Sequence, residues 1–220
     1  MNTSSESQKK TQEPSSVCRG KNYAYRVGNG IYINLTNRCT NDCTFCIRHN
    51  GDGAYGSETL WLEKEPTVSE AFDAVCELYF PECREFVFCG YGEPMMRADT
   101  LLKVASLLKE RFSLPIRINT NGQAPLICGE DVSPRMEGLI DCVSISLNTP
   151  SAEEYVRICK PVYGKKAFEA MLAFASACKA HVPNVLLTVV DEALSKYELA
   201  MCHALADRLG VKLRVRTYIG

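Results

Sequence analysis

The sequence predicts an α/β fold, an incomplete (β/α)6 TIM-type barrel of parallel strands occupying residues 21–220. Three observations carry that prediction. Six strand-like runs alternate with helical segments, which means parallel pairing through crossover helices. Within the runs, apolar and polar side chains alternate, so one face packs on helices while the other lines a polar interior. A sheet covered on both faces would read instead as continuous apolar runs. The chain also stops at Gly220, just after the sixth run, which leaves no room for two further strand–helix units.

The elements follow in order. Residues 1–20 lack periodicity, are rich in Ser, Lys and Gln, and are expected to form a disordered tail. A short strand over 23–27 turns through Gly28, Asn29 and Gly30 into the next, as in a hairpin. The six barrel strands are placed at 31–36, 85–89, 116–119, 142–147, 185–190 and 212–217. Ile31, Ile33, Leu35, Ile116, Ile118, Val143, Ile145, Leu147, Leu213 and Val215 share the apolar parity; Asn34, Thr36, Arg117, Asn119, Ser144, Ser146, Asn148, Arg214 and Arg216 share the polar one. Thr67 with Glu70, Ser151 with Glu154, and Ser195 with Glu198 are spaced as capping boxes that start helices. After the first, Val68, Ala71, Phe72, Val75 and Tyr79 fall on one helical face.

Composition narrows function only a little. With 25 basic and 26 acidic side chains the net charge is −1, so no basic stripe announces nucleic acid. No run is long and apolar enough to span a bilayer, and the polar start is no signal peptide. Twelve cysteines are many for such a chain. Cys76, Cys142, Cys178 and Cys202 lie among aliphatic residues and read as small buried hydrophobes with free thiols. A reducing, cytoplasmic location is expected.

Cys39, Cys43 and Cys46 are different. Their C-x3-C-x2-C spacing lies on the loop leaving the first barrel strand, the end where such barrels carry their chemistry. Three thiolates so spaced can hold three corners of a cubane cluster, whereas electron-transfer clusters use four. Three cysteines could also bind structural zinc, with His49 or a distant cysteine as fourth ligand, in a binding module that is no enzyme.

With Phe45 before the last cysteine, this spacing resembles the signature of the radical S-adenosylmethionine (SAM) superfamily. Gly90, Tyr91, Gly92, Glu93 and Pro94 are similar to that family's Gly-Gly-Glu motif, with Tyr91 in place of a glycine. Asn119, Thr120, Asn121 and Gly122 match another family segment, and Ser144, Ser146 and Asn148 occupy the strand where the family places ribose and carboxylate contacts. The resemblance covers about residues 30–218. Residues 32–39 and 88–94 resemble most the small radical SAM proteins associated with TatD-type hydrolases, a subfamily without a settled reaction.

The resemblance implies a [4Fe–4S] cluster on Cys39, Cys43 and Cys46, SAM chelated at the open iron, and a flavodoxin- or ferredoxin-type electron donor. It implies that Gly90, Tyr91, Gly92 and Glu93 face the amino group of SAM. Phe45, Ile47 and Val190 are expected to pack on adenine or else to serve as core. Arg214 and Arg216 need carboxylates, phosphates or water, since an unpaired buried charge is costly. Arg216 is the candidate for the SAM carboxylate or an anionic substrate, with Lys160 a weaker one. Residues 48–65 form a long insert with Trp61, suited to a lid or a docking loop. A small polar substrate is expected; installing a glycyl radical on a partner protein is the alternative.

Overall fold

The structure, a computed structural model, describes residues 22–49, 59–190 and 194–216. The tail expected over 1–20 lies outside these residues, as do residues 50–58 of the long insert. Among the described residues there are seven strands: β1 (Ala24–Val27), β2 (Gly30–Ile33), β3 (Glu85–Phe88), β4 (Ile116–Thr120), β5 (Cys142–Ser146), β6 (Asn184–Val190) and β7 (Lys212–Arg216). They form one open sheet in strict chain order. Only β1 is antiparallel, paired to β2 through the expected hairpin, where Gly28 takes a φ of 55°. All later neighbours pair in parallel, as six crossover-linked strands require.

The connections carry α1 (Val68–Leu78), α2 (Ala98–Arg111), α3 (Ala124–Cys128), α4 (Ala152–Cys159), α5 (Lys166–Cys178) and α6 (Lys196–Leu209). Thr67 and Ser195 make complete capping boxes with Glu70 and Glu198. Ser151 makes half of one: its hydroxyl accepts from Glu154 N, but the Glu154 carboxylate turns to Arg157 at 2.8 Å. An ion-pair partner one turn along has taken it. Tyr79 is not on the buried face of α1; it caps the helix and stacks its ring 4.7 Å from that of Phe112. Among the described residues no helix is long and apolar enough to cross a membrane.

Strand parity sorts the sheet as expected on one face. Ile31, Ile33, Leu35, Ile116, Ile118, Val143, Ile145 and Leu147 are buried in the main core beneath the helices, joined by Val185, Leu187 and Val189 of β6. The opposite face is not uniformly wet. Residues 59–65 cross it beyond the end of β2 as a strap. Asn34 Nδ2 donates to Leu60 O at 2.7 Å, Asn37 Nδ2 to Leu62 O at 2.7 Å, and Thr36 Oγ1 to Glu65 Oε1 at 2.6 Å. Buried polar side chains need partners, and here the strap supplies most of them, Asn34 Oδ1 having none among the described residues. Leu60 packs there with Tyr25 and Tyr91, and Trp61 meets the Tyr91 ring edge-on at 5.1 Å.

The interior is therefore divided. Its β1–β3 side is filled by an apolar and aromatic plug, and its β4–β7 side stays polar. Arg117 on that side is neutralised by Glu85, with Nη2 donating to Oε1 at 2.7 Å. Arg214 and Arg216 are not buried at all. β7 lies at the sheet edge, and water answers the demand for a partner that burial would have imposed. Of the four cysteines expected in the core, Cys178 and Cys202 are buried while Cys76 and Cys142 are half-buried.

Candidate functional site

Cys39, Cys43 and Cys46 lie on the loop beyond β2, all half-buried. A turn links the last two, with Cys46 N donating to Cys43 O at 3.1 Å and His49 N to Cys46 O at 2.9 Å. Three neighbouring segments clamp this loop. From the β3 side, Glu93 N donates to Arg38 O at 2.8 Å. From the β4 side, Asn121 Nδ2 donates to Thr40 Oγ1 at 2.8 Å. From the end of α4, Ile158 and Cys159 carbonyls accept from Thr44 N at 2.9 Å and Asp42 N at 3.0 Å.

Between the first two cysteines, Asn41 reaches inward. Its Oδ1 accepts from Gln123 Nε2 at 2.7 Å, and its Nδ2 donates to the buried Tyr155 hydroxyl at 3.1 Å. Such a buried network fixes the loop as a unit. Lys160 closes α4 in a left-handed conformation, φ 43°, so its backbone shapes the clamp while its side chain stays exposed.

The sulfurs differ in surroundings. Cys39 Sγ accepts from Asn41 N at 3.4 Å and lies 4.0 Å from Asn121 Nδ2. Cys46 Sγ accepts from Arg48 Nε at 3.4 Å. Cys43 meets the thiol of Cys159, which also accepts from Asn148 Nδ2 at 3.3 Å. Burial, and then the Glu93 carboxylate, push the Cys39 thiol up to about 12. The hydrogen bond to Cys159, then burial, raise Cys43. Buried thiols held in this way become thiolates when a cationic iron centre replaces the proton. Among the described residues no three Cys, His, Asp or Glu side chains already converge on one point, as a single ion would require. A cubane takes one thiolate per iron, which suits three thiols along one loop.

Gly92 fits backbone against backbone, and Gly90 fits against the side chain of Asn34. A Cβ on Gly92 would lie 2.2 Å from Thr36 O and 2.7 Å from Arg38 O, and one on Gly90 2.1 Å from Asn34 Oδ1. Tyr91 between them turns into the aromatic plug. Glu93 is 3% exposed: Oε1 accepts from Met95 N at 3.0 Å and Thr120 Oγ1 at 2.7 Å, and Oε2 from Asn121 N at 2.7 Å. Burial pushes its carboxyl up from the ordinary 4.5, against those three donors.

Glutamine at position 93 must set an amide N–H₂ against one of the backbone donors. Glu93→Gln is therefore expected to lose about 2 kcal/mol in urea unfolding at neutral pH. The folded acid keeps its proton to higher pH than the unfolded one. The raised carboxyl adds a separate contribution of its own, full below 4.5 and lost as pH rises through the folded value. The glutamine variant should lack this part of the slope, and parallel pH profiles for the two proteins would refute the assignment.

The remaining expected residues divide. Asn119 Oδ1 accepts from Arg117 Nη1 at 2.8 Å, on the inner face. Ser144 and Ser146 share that face, and the register carries it through Leu186 and Thr188 to Lys212 and Arg214. Val190 stands beside Arg216 at the end of the sheet. Asn148 is committed to Cys159, with φ 62°. Phe45 packs on the main core and Ile47 on the aromatic plug. His49 is half-exposed, 3.6 Å from Asp42. Arg48, Asn41, Gln123, Tyr155 and Cys159 were not anticipated. Only Arg48 had a sequence signal, a fixed charge two residues past the last cysteine.

Residues 33–194 match the radical SAM superfamily. The chain is 32% identical over 143 residues to the GTP 3',8-cyclase of Corynebacterium glutamicum (strain R), a match covering 60% of this chain and 34% of that protein. It thus spans about a third of the length of the curated relatives it matches, 36% of the Rhodococcus opacus cyclase. Among solved structures it is similar to a radical SAM methyltransferase from Sphaerobacter thermophilus, with a TM-score of 0.58 at 14% identity over 90% of this chain and 69% of that one. It is also similar to Streptococcus suis SuiB bound to precursor peptide SuiA, at 0.59 and 12%, over 86% and 39%. At such identities these two likenesses concern the fold.

Proposed function

The chain belongs to the radical SAM superfamily, and from that premise we propose that it cleaves SAM reductively and directs the resulting radical at a polar or anionic small molecule. Membership makes it an enzyme whose cofactors are a [4Fe–4S] cluster and SAM, and the zinc-module alternative gives way. When bound, the cluster supplies the electron that splits SAM into methionine and a hydrogen-abstracting 5′-deoxyadenosyl radical.

Cys39, Cys43 and Cys46 would hold the cluster. The backbone of Gly90, Tyr91 and Gly92, with Glu93 bracing it, would receive the amino end of SAM. Ser144 and Ser146 offer hydroxyls to ribose from the polar side of the interior, and Val190, Phe45 and Ile47 offer apolar surface to adenine. Asn148 would join them only by leaving Cys159. A flavodoxin- or ferredoxin-type donor would deliver the electron. The eleven described cysteines are all free thiols, which suits a reducing cytoplasm. A functional link to a TatD-type hydrolase rests on residues 32–39 and 88–94 alone.

One observation supports the substrate class. Lys212, Arg214 and Arg216 follow Ser144, Ser146 and Thr188 around the same face, and among the described residues none of the three carries a salt bridge. Exposed guanidiniums with no internal carboxylate are suited to hold a carboxylate or phosphate. The test is anaerobic reconstitution, then mass spectrometry of products made from SAM and reductant with small-molecule extract fractionated by charge. Methionine and 5′-deoxyadenosine should form, with an anionic fraction consumed in step. Uncoupled cleavage with every nucleotide, sugar and carboxylate fraction would remove the substrate assignment; no 5′-deoxyadenosine at all would remove the whole proposal.

A further inference from the structure

The three thiols meet three different kinds of neighbour. Cys39 receives a backbone N–H from Asn41, Cys43 faces another thiol, and among the described residues Cys46 alone receives a charged donor, Arg48 Nε at 3.4 Å. The guanidinium is held in place: its Nη2 donates to Asn41 O at 3.3 Å, inside the loop of the triad, and the side chain is only 15% exposed. Among the described residues the carboxylate facing it, Asp42 at 3.9 Å, has a side chain 67% exposed and is shared with His49 Nε2 at 3.6 Å. Water screens that pair. The positive charge on Arg48 is thus turned toward sulfur more than it is cancelled.

We propose that Arg48 is a positioning residue that raises the reduction potential of the cluster, by donating to Cys46 Sγ and by setting a permanent positive charge beside it. The inference rests on the assignment of the triad as cluster ligands. A cluster that accepts one electron gains one negative charge, so a fixed cation beside a ligand sulfur favours the reduced form. Hydrogen bonds to cluster sulfurs and local charge are the protein's means of adjusting that potential. Arginine suits the task because its guanidinium stays protonated at any working pH and its Nε and Nη2 donors form one rigid planar fork. Here one anchors to the loop backbone while the other meets sulfur.

The experiment is a redox titration of the reconstituted protein without SAM, followed by electron paramagnetic resonance, for the parent, Arg48→Gln and Arg48→Lys. Reduction in Arg48→Gln should become at least about tenfold less favourable, a midpoint lowered by about 59 mV. Arg48→Lys keeps the charge but loses the fork and should fall between. An unchanged midpoint in a fully iron-loaded Arg48→Gln protein overturns the proposal. So does an Arg48→Gln protein that takes up no iron while the parent does, since the residue then only holds the loop. A parent that binds no iron condemns the ligand assignment instead, a separate and distinguishable failure.

Discussion

Alanine at any one of Cys39, Cys43 or Cys46 is expected to lower 5′-deoxyadenosine formation by about a thousandfold or more, about 4 kcal/mol of barrier. The reason is the division of labour between protein and cofactor: the chain offers position, and the electron comes through iron. On the proposed assignment each thiol serves one metal corner, so two survivors would not hold the assembly in place. Iron content, measured after anaerobic reconstitution, should fall in step with activity. Cys178→Ala supplies the control, because that thiol is buried in the main core behind the sheet. Iron loading and turnover that survive in any triad variant would separate the three residues from the chemistry.

Gly92→Ala comes next in size. Its Cβ would meet two main-chain carbonyl oxygens at 2.2 and 2.7 Å, and a main chain cannot swing aside as a side chain does. The carbonyls belong to Thr36 and Arg38, so relief must come from moving the segment that leads into Cys39. An expected loss of about 3 kcal/mol in urea unfolding, in line with overpacked cores, should be accompanied by poor iron uptake. Gly90→Ala differs in kind. Its Cβ meets the Asn34 side chain, whose Nδ2 already holds Leu60 O, so the strap over the plug should loosen while the triad loop stays put. Equal iron uptake by Gly92→Ala and the parent would contradict this account.

Much of the fold was legible because the signals are local. Alternation along a strand is set by two neighbouring residues, and a cap by a pair three apart, so β2 to β7 and the starts of α1 and α6 could be placed. The triad was legible for the same reason. What escaped depends on contacts distant in sequence. Asn34 and Thr36 carry the right alternation for a polar interior, yet nothing in their own segment says that residues 59–65 return to satisfy them. Ser151 and Glu154 have the right spacing, but Arg157 decides where the carboxylate goes. Arg214 and Arg216 sit on the expected parity, and only the position of β7 at the sheet edge leaves them in water. Cys159 reads as one more core cysteine until α4 is seen to end against Cys43.

The anchorage of the triad loop on the end of α4 has a consequence for the newborn chain. Thr44 and the Ile158 carbonyl that holds it are 114 residues apart, so the ribosome releases the three thiols long before their support exists. At ordinary translation speeds that interval is roughly 6–23 s. During it the three thiols lack the backbone clamp that the end of α4 gives them in the folded protein. On the proposed assignment, lasting cluster uptake is expected only once α4 has closed on the loop.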